Sequence, residues 1–238
     1  MWEFSTGEVV VVEKVSVAED VFAETKTYVD IQGPCGRLQA QIVAGKTAAP
    51  LSDAGYIAIV CHPHPLHGGT MDNKVVTTLV RTFRDLGVGA VSFNFRGVGL
   101  SEGSFDNAQG EVDDLLAVVD WVRQKRPGTR LLLAGFSFGS AVAAQGVHRL
   151  KERQVCPGHL TLVAPAVDRY SYPDSFPCPV CVIQGGQDEV VDATGVFAWS
   201  ESLQSPFEMI RFEHAGHFFH GMLVALKAKL SQQLLQQL

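Results

Sequence analysis

Ser137 stands at the centre of Gly135-Phe136-Ser137-Phe138-Gly139, a Gly-x-Ser-x-Gly pattern. The apolar run Leu131-Leu132-Leu133-Ala134 precedes it, and the small residues Ala141, Ala143 and Ala144 follow. A serine hydroxyl becomes a nucleophile when a neighbouring base takes its proton. This pattern builds the turn that presents one: a strand ends, the chain bends sharply through the serine, and a helix begins. The glycines leave room where a Cβ would strike the adjoining strand or helix. A helix starting at Phe138 also aims its free N–H groups and positive dipole end at whatever Ser137 attacks.

Such a nucleophile needs a base, and the base needs a partner that orients it. Pro179-Val180-Cys181-Val182-Ile183-Gln184 reads as a buried strand running into Gly185-Gly186-Gln187-Asp188-Glu189-Val190-Val191, a Gly-rich turn with Asp188 at its tip. Phe207-Glu208-Met209-Ile210-Arg211-Phe212 reads as another strand, followed by Glu213-His214-Ala215-Gly216-His217-Phe218-Phe219. Asp188 and His217 each fall just past a strand's carboxyl end, where ligands gather in open parallel sheets. Rival bases are His214, still part of the strand end, and His220, which opens the last helix. His217, after Gly216 at the loop tip, has the better reach. Rival acids are Glu189 and Asp192, the latter better placed as an exposed cap of the helix holding Val196, Phe197 and Trp199.

His62, His64 and His67 crowd one loop, which raises the question of a metal. A catalytic metal takes about three convergent protein ligands, often with a carboxylate. Asp72 is the nearest acid here, Pro63 and Pro65 stiffen the loop, and a complete Ser-His-Asp set leaves a metal little to do. No metal and no other cofactor is expected. Pro63 and Pro65 lack an N–H, so His64 is the loop residue best placed to aim a backbone donor at Ser137. With the Phe138 N–H it would form an oxyanion hole, and Leu66 is the next candidate donor.

The five cysteines are an odd number, unsuited to a disulfide framework. Cys178-Pro179-Val180-Cys181 forms a C-x-x-C. Redox pairs of that kind work at a helix N-terminus, and this one leads into a strand, so packing is its expected role. Cys61 ends an apolar strand and reads as a small buried hydrophobe. Arg96 is expected to pin its Gly-flanked loop through an ion pair. Asp113 and Asp114 read as first-turn helix acids or solvated charges.

The elements that must position these residues alternate. After antiparallel strands at Val9–Val12, Lys26–Ile31 and Arg37–Val43 come strands at Tyr56–Cys61, Gly89–Phe95, Leu131–Phe136, His159–Ala164, Pro179–Gln184 and Phe207–Phe212. Between them lie helices. One is capped near Thr70 or Asp72 and carries Val75, Val76, Leu79, Val80, Phe83 and Leu86. Another carries Val112, Leu115, Leu116, Val119 and Val122 and stops at Pro127-Gly128. A last helix, from about Met222 to Leu238, places Leu223, Leu226, Leu230 and Leu234 on one face, to pack on the sheet. Strand–helix alternation predicts an α/β fold: a mostly parallel central sheet of about eight strands with helices on both faces.

These landmarks together resemble the α/β-hydrolase superfamily, over nearly the whole chain. In particular the chain is similar to small, cap-less bacterial serine hydrolases related to dienelactone hydrolase-like esterases. The matching features are the Ser137 elbow, the Asp188 turn, the Gly216-His217 pair, Asn94-Phe95-Arg96-Gly97-Val98-Gly99-Leu100-Ser101 and His62-Pro63-His64-Pro65-Leu66-His67-Gly68-Gly69-Thr70-Met71-Asp72-Asn73-Lys74. The last of these replaces the His-Gly pair usual after the third strand. The resemblance implies an α/β-hydrolase fold with Ser137, His217 and Asp188 as nucleophile, base and acid. Cap domains usually enter after the sixth strand, and the segment from Ala166 to Phe176 is too short for one. An open site is therefore expected, with Tyr170, Tyr172 and Phe218 contacting substrate and Phe105 and Phe219 also on its walls.

With 238 residues, 46% of them hydrophobic, one α/β domain spanning 1–238 is the expected organisation. A formal charge of −6 without a basic cluster argues against nucleic acid and anionic membranes as partners. The first residues lack a basic stretch leading into an apolar one, and no apolar run reaches membrane-spanning length, so a cytoplasmic location is expected. The expected substrate is a small soluble carboxylic ester with a short acyl group. A thioester or amide would suit the same three residues, and a binding protein without activity is the alternative from another class. Oligomeric state is left open.

Overall fold

Side chains alternate between the faces of a strand, so an apolar run needs a cover on both sides. Ile57, Ile59, Leu131, Leu133, Leu160, Leu162, Val180 and Val182 belong to one core cluster. Their neighbours Ala58, Val60, Leu132, Ala134, Val163, Cys181 and Ile183 belong to another. The sheet thus separates two hydrophobic cores. The computed structural model describes residues 20–22 and 26–238. The strand expected at Val9–Val12 lies outside the described residues.

In chain order the elements are β1 (Thr27–Gly33), β2 (Gly36–Val43), β3 (Tyr56–Cys61), a 3₁₀ turn (Pro65–His67), α1 (Lys74–Asp85), β4 (Gly89–Phe93), α2 (Gln109–Lys125) and β5 (Arg130–Phe136). There follow α3 (Phe138–Glu152), β6 (His159–Val163), β7 (Val180–Gly185), α4 (Ala193–Glu201), β8 (Phe207–Phe212) and α5 (Leu223–Gln237). The eight strands form one sheet in the order β1-β2-β4-β3-β5-β6-β7-β8. The β1–β2 and β2–β4 pairs are antiparallel and all others parallel. The strand order reverses at the parallel neighbours β3 and β5, with β4 added on one side and β5 to β8 on the other, and the loops leaving their carboxyl ends carry His62–His64 and Ser137. That is the crevice in which open α/β sheets place their ligands.

Helices α2, α3 and α4 cover one face through residues such as Leu115, Val119, Val142, Val147 and Val196. Helices α1 and α5 cover the other through Val75, Leu79, Phe83, Leu226, Leu230 and Leu234. The leucine stripe of α5 does pack inward. No helix among the described residues is long and apolar enough to cross a membrane. Between β6 and β7 the chain makes turns only, and among the described residues no cap domain covers the sheet edge.

Some details differ from the sequence expectation. Strand β4 ends at Phe93 rather than Phe95, because the Phe95 N–H is given to the ring Nε2 of His62 at 3.0 Å and leaves the ladder. Helix α1 is capped by Asn73, whose side chain accepts from Val75 N–H at 2.9 Å, and not by Thr70 or Asp72. Asp114 is no solvated charge. It is fully buried and accepts from the Arg96 guanidinium at 2.8 Å and from the Arg96 backbone N–H at 2.9 Å. This pair fixes the loop after β4, as expected of Arg96, and a buried charge needs such a partner.

Candidate active site

Ser137 sits between β5 and α3 with φ 54° and ψ −120°, a strained conformation for a residue with a side chain. Its N–H donates to Val163 O at 2.8 Å, tying the bend to β6. The flanking glycines permit close backbone contact. A Cβ on Gly135 would lie 2.1 Å from Gly139 O, and one on Gly139 would lie 2.4 Å from His62 O. Phe138 is the first residue of α3, so its N–H has no partner within the helix.

His217 Nε2 lies 3.0 Å from Ser137 Oγ. On the other side of the ring, Nδ1 lies 2.9 Å from Asp188 Oδ2 and 3.1 Å from Oδ1. An ionised carboxylate only accepts, so Nδ1 carries the proton and Nε2 is left to receive the Ser137 hydroxyl. Asp188 is held in place by N–H groups of Val190 at 2.9 Å and Val191 at 2.8 Å, and by Gln184 Nε2 at 3.1 Å. Burial pushes the Asp188 carboxyl up, but the hydrogen bonds from His217, Val191 and Val190 outweigh it and hold it below the usual range. The Phe136 ring lies against the imidazole with centroids 4.9 Å apart. Such a chain of groups can take the serine's proton and stabilise the imidazolium that results.

The rival residues are elsewhere. Asp192 accepts from Thr194 and Gly195 N–H groups at 3.0 and 3.1 Å and caps α4. Glu189 Oε2 accepts the backbone N–H of His217 at 3.1 Å, so it holds the histidine's loop and not its ring. His214 and His220 are exposed.

The three loop histidines do not converge. His62 is buried, with Nδ1 2.6 Å from Pro63 O and Nε2 accepting from Phe95 N–H. Both ring nitrogens are thereby used, and burial pushes its pKa down to about 4. His64 Nδ1 accepts from Leu66 N–H at 3.2 Å, which removes Leu66 as a free donor. The His64 ring stacks on His67 at 4.3 Å and packs on Phe105 at 4.9 Å and Phe138 at 5.2 Å. Burial, with the positive potential of His67 and Arg169, lowers its pKa. Among the described residues no acceptor engages the His64 backbone N–H. The C-x-x-C thiols lie in and beside β7, where burial pushes both up to about 12 and leaves little thiolate.

Ser137 and His217 line a cavity of about 300 Å³ shared with His64, Phe138, Tyr170, Arg169, Val190 and Phe218. Tyr170 and Phe218 thus face this cavity. Tyr172 does not. It lines a neighbouring hollow behind α3, packs at a tilt against Trp199 with ring centroids 5.1 Å apart, and its hydroxyl lies 2.7 Å from Ser140 Oγ. Phe219 is buried against Phe212, at 5.6 Å, and also leaves the wall. Phe105 reaches the site only through the rings of His64 and Phe138. Gln184, Ser140 and Arg169 are neighbours that sequence reasoning missed, since nothing in their spacing marks them. Arg169 donates to Val190 O at 2.6 Å and bridges the loops after β6 and β7.

Residues 64–177 match the family described as serine aminopeptidase, S33. The chain is 37% identical over 198 residues to uncharacterized protein RP471 of Rickettsia prowazekii (strain Madrid E), covering 79% of each. It is 40% identical to XC6422 from Xanthomonas campestris, described as an a/b serine hydrolase without lid, with a TM-score of 0.81 over 87% of this chain and 92% of that one. An alpha-beta serine hydrolase homologue from Coxiella burnetii is 41% identical, with a TM-score of 0.82 over 89% and 98%. Fold, strand order and these relatives agree: the chain belongs to the α/β-hydrolase superfamily, among its serine hydrolases without a lid.

Proposed function

We propose that the protein hydrolyses carboxylic esters by two-step acyl transfer. Ser137 Oγ attacks the ester carbonyl while His217 Nε2 takes its proton. Asp188 keeps the imidazole in the right tautomer and balances its positive charge. Backbone N–H groups of Phe138 and His64 receive the oxyanion, His217 returns the proton to the leaving alcohol, and water then releases the acyl group by the same route. The observation that carries this reading is the unbroken Asp188–His217–Ser137 chain, with contacts of 2.9 and 3.0 Å.

The cavity of about 300 Å³, bordered by Tyr170 and Phe218, suits a small substrate with a short acyl group. An amide is the second reading, favoured by the serine aminopeptidase description of the matching family. A fluorophosphonate probe tests the nucleophile: the wild-type chain should label and Ser137→Ala should not. A panel of esters, thioesters and amides with purified protein then ranks the leaving groups. Absence of both labelling and turnover across the panel would instead favour a binding protein on a hydrolase fold.

A further inference from the structure

Ser140 lies in the first turn of α3 and is completely buried. Its hydroxyl lies 2.5 Å from the carbonyl oxygen of Ser137 and 2.7 Å from the Tyr172 hydroxyl. A carbonyl can only accept, so the single Ser140 hydroxyl proton goes to Ser137. Ser140 Oγ must then accept from Tyr172, and both directions are fixed. The same carbonyl also receives the Ser140 N–H at 2.9 Å. Burial pushes the Tyr172 phenol well above its ordinary value, so it keeps the proton it donates. Packing of its ring on Trp199 sets where the hydroxyl sits.

The peptide joining Ser137 to Phe138 is planar and trans, so its C=O and N–H point in opposite directions. Whatever grips the carbonyl therefore orients the Phe138 N–H. Hydrogen bonds in series also polarise one another, and donation to the carbonyl oxygen makes the amide N–H of the same peptide a stronger donor. This grip falls on a residue with a strained backbone, Ser137 at φ 54° and ψ −120°.

We propose that Tyr172 and Ser140 form a relay that orients and polarises the Phe138 N–H toward the oxyanion. It runs from Tyr172 O–H through Ser140 O–H to the Ser137 carbonyl. Neither residue touches substrate; both are positioning residues. The inference rests on reading Ser137 as nucleophile and the Phe138 N–H as oxyanion donor. It also gives the short segment between β6 and β7 a task at the site it leaves uncovered.

The test compares wild type, Tyr172→Phe, Ser140→Ala and the double variant on p-nitrophenyl butyrate. Tyr172→Phe keeps the ring packing and removes one proton. It should lower kcat roughly three- to tenfold, with KM within about twofold. Ser140→Ala should lower kcat at least as far, and adding Tyr172→Phe to it should change nothing more. Affinity for a boronic acid, whose tetrahedral adduct presents an oxyanion, should weaken by the same factor as kcat. A raised KM with kcat unchanged would make Tyr172 a substrate contact and overturn the relay, as would independent, multiplying effects of the two substitutions. If Ser140→Ala does not fold, Tyr172→Phe with the boronic acid decides alone. Should Ser137→Ala retain turnover, the underlying reading fails. Should fluorophosphonate labelling depend on Ser137 while Tyr172→Phe behaves as wild type, only the relay fails.

Discussion

Gln184 Nε2 donates to Asp188 Oδ2 at 3.1 Å, from the carboxyl end of β7 on which the acid's own loop begins. Its other contact is Gly185 O, also at 3.1 Å. Both partners are acceptors, so the amide must present its nitrogen here. Among the described residues its Oε1 is then buried with no partner. A group kept in a core with one end unsatisfied invites an explanation at the site it serves.

Gln184→Leu removes that orphan oxygen together with the bond to Asp188. Its thermal midpoint should stay near wild type while kcat falls roughly three- to tenfold. Gln184→Glu should be worse, because it sets a second carboxylate beside Asp188. Steady-state kinetics with melting curves check this. Wild-type kcat in Gln184→Leu would show that the amide serves packing alone.

Asp188→Asn should lower kcat by about four orders of magnitude, because an amide no longer fixes the tautomer that leaves Nε2 unprotonated. Asp192→Asn should leave kcat nearly unchanged, since that side chain caps α4 and makes no contact with His217. Asparagine is itself a good helix cap, so little stability should be lost either. The ratio of the two kcat values is the measurement. A larger loss at Asp192 would reverse the assignment of the acid.

Much of this site can be read from the sequence because its parts are local. A Gly-x-Ser-x-Gly after an apolar run, and an acid and a histidine in turns after later strands, each carry a signature within a few residues. What spacing does not carry is the direction of a side chain in a loop. Tyr170 and Tyr172 are separated by one residue, yet one faces the cavity and the other turns behind α3 to meet Ser140. Phe218 and Phe219 part in the same way, because Phe219 takes a positive φ of 52° and drops into the core. Asp114 looked like a helix-surface acid because its partner Arg96 lies on another element, and only tertiary contact identifies the pair. Strand ends shifted for a related reason: the bond from Phe95 N–H to the His62 ring has no local pattern to announce it.

Two buried histidines should make the fold acid-sensitive. His62 and His159 are each pushed down to about 4 by burial. An unfolded histidine titrates near 6.5, so below that pH the unfolded chain takes up protons that the folded chain refuses. Their contribution is complete above about pH 6.5 and is lost progressively as pH falls toward 4, by at most about 3 kcal/mol each. Urea unfolding at pH 7.5 and pH 4.5 measures the difference. His159→Asn should flatten it, because the replacement does not titrate. An unchanged slope would mean His159 is protonated in the folded state, through its 2.8 Å contact with Gln237 Oε1.

Acyl length should matter. The cavity of about 300 Å³ lies at the small end of ligand pockets, and among the described residues no cap adds apolar surface above it. Each methylene that stays in water forgoes about 0.8 kcal/mol of transfer free energy. Acetate to hexanoate esters should be turned over better than palmitate, with no rise in rate at a lipid–water interface. A kcat/KM that climbs steadily to long chains would mean that another surface receives the acyl group.

The second oxyanion donor is the sharpest remaining assignment to test. His64 offers a backbone N–H that no acceptor among the described residues engages, while the neighbouring Leu66 N–H is bound to the His64 ring. If the backbone is what matters, His64→Ala keeps the donor and should retain activity within about tenfold, the loss arising from ring contacts with His67, Phe105 and Phe138 and from the freed Leu66 N–H. His64→Pro removes the donor and should cost roughly 10² to 10³ in kcat. Three successive prolines can also distort the loop, so circular dichroism and a thermal melt must first show that variant folded. Replacing the residue 64 amide by an ester through semisynthesis separates the two effects, because it deletes the N–H without a third ring. An inactive His64→Ala would put the imidazole itself into the chemistry. A fully active ester variant would move the second donor to another residue of the loop.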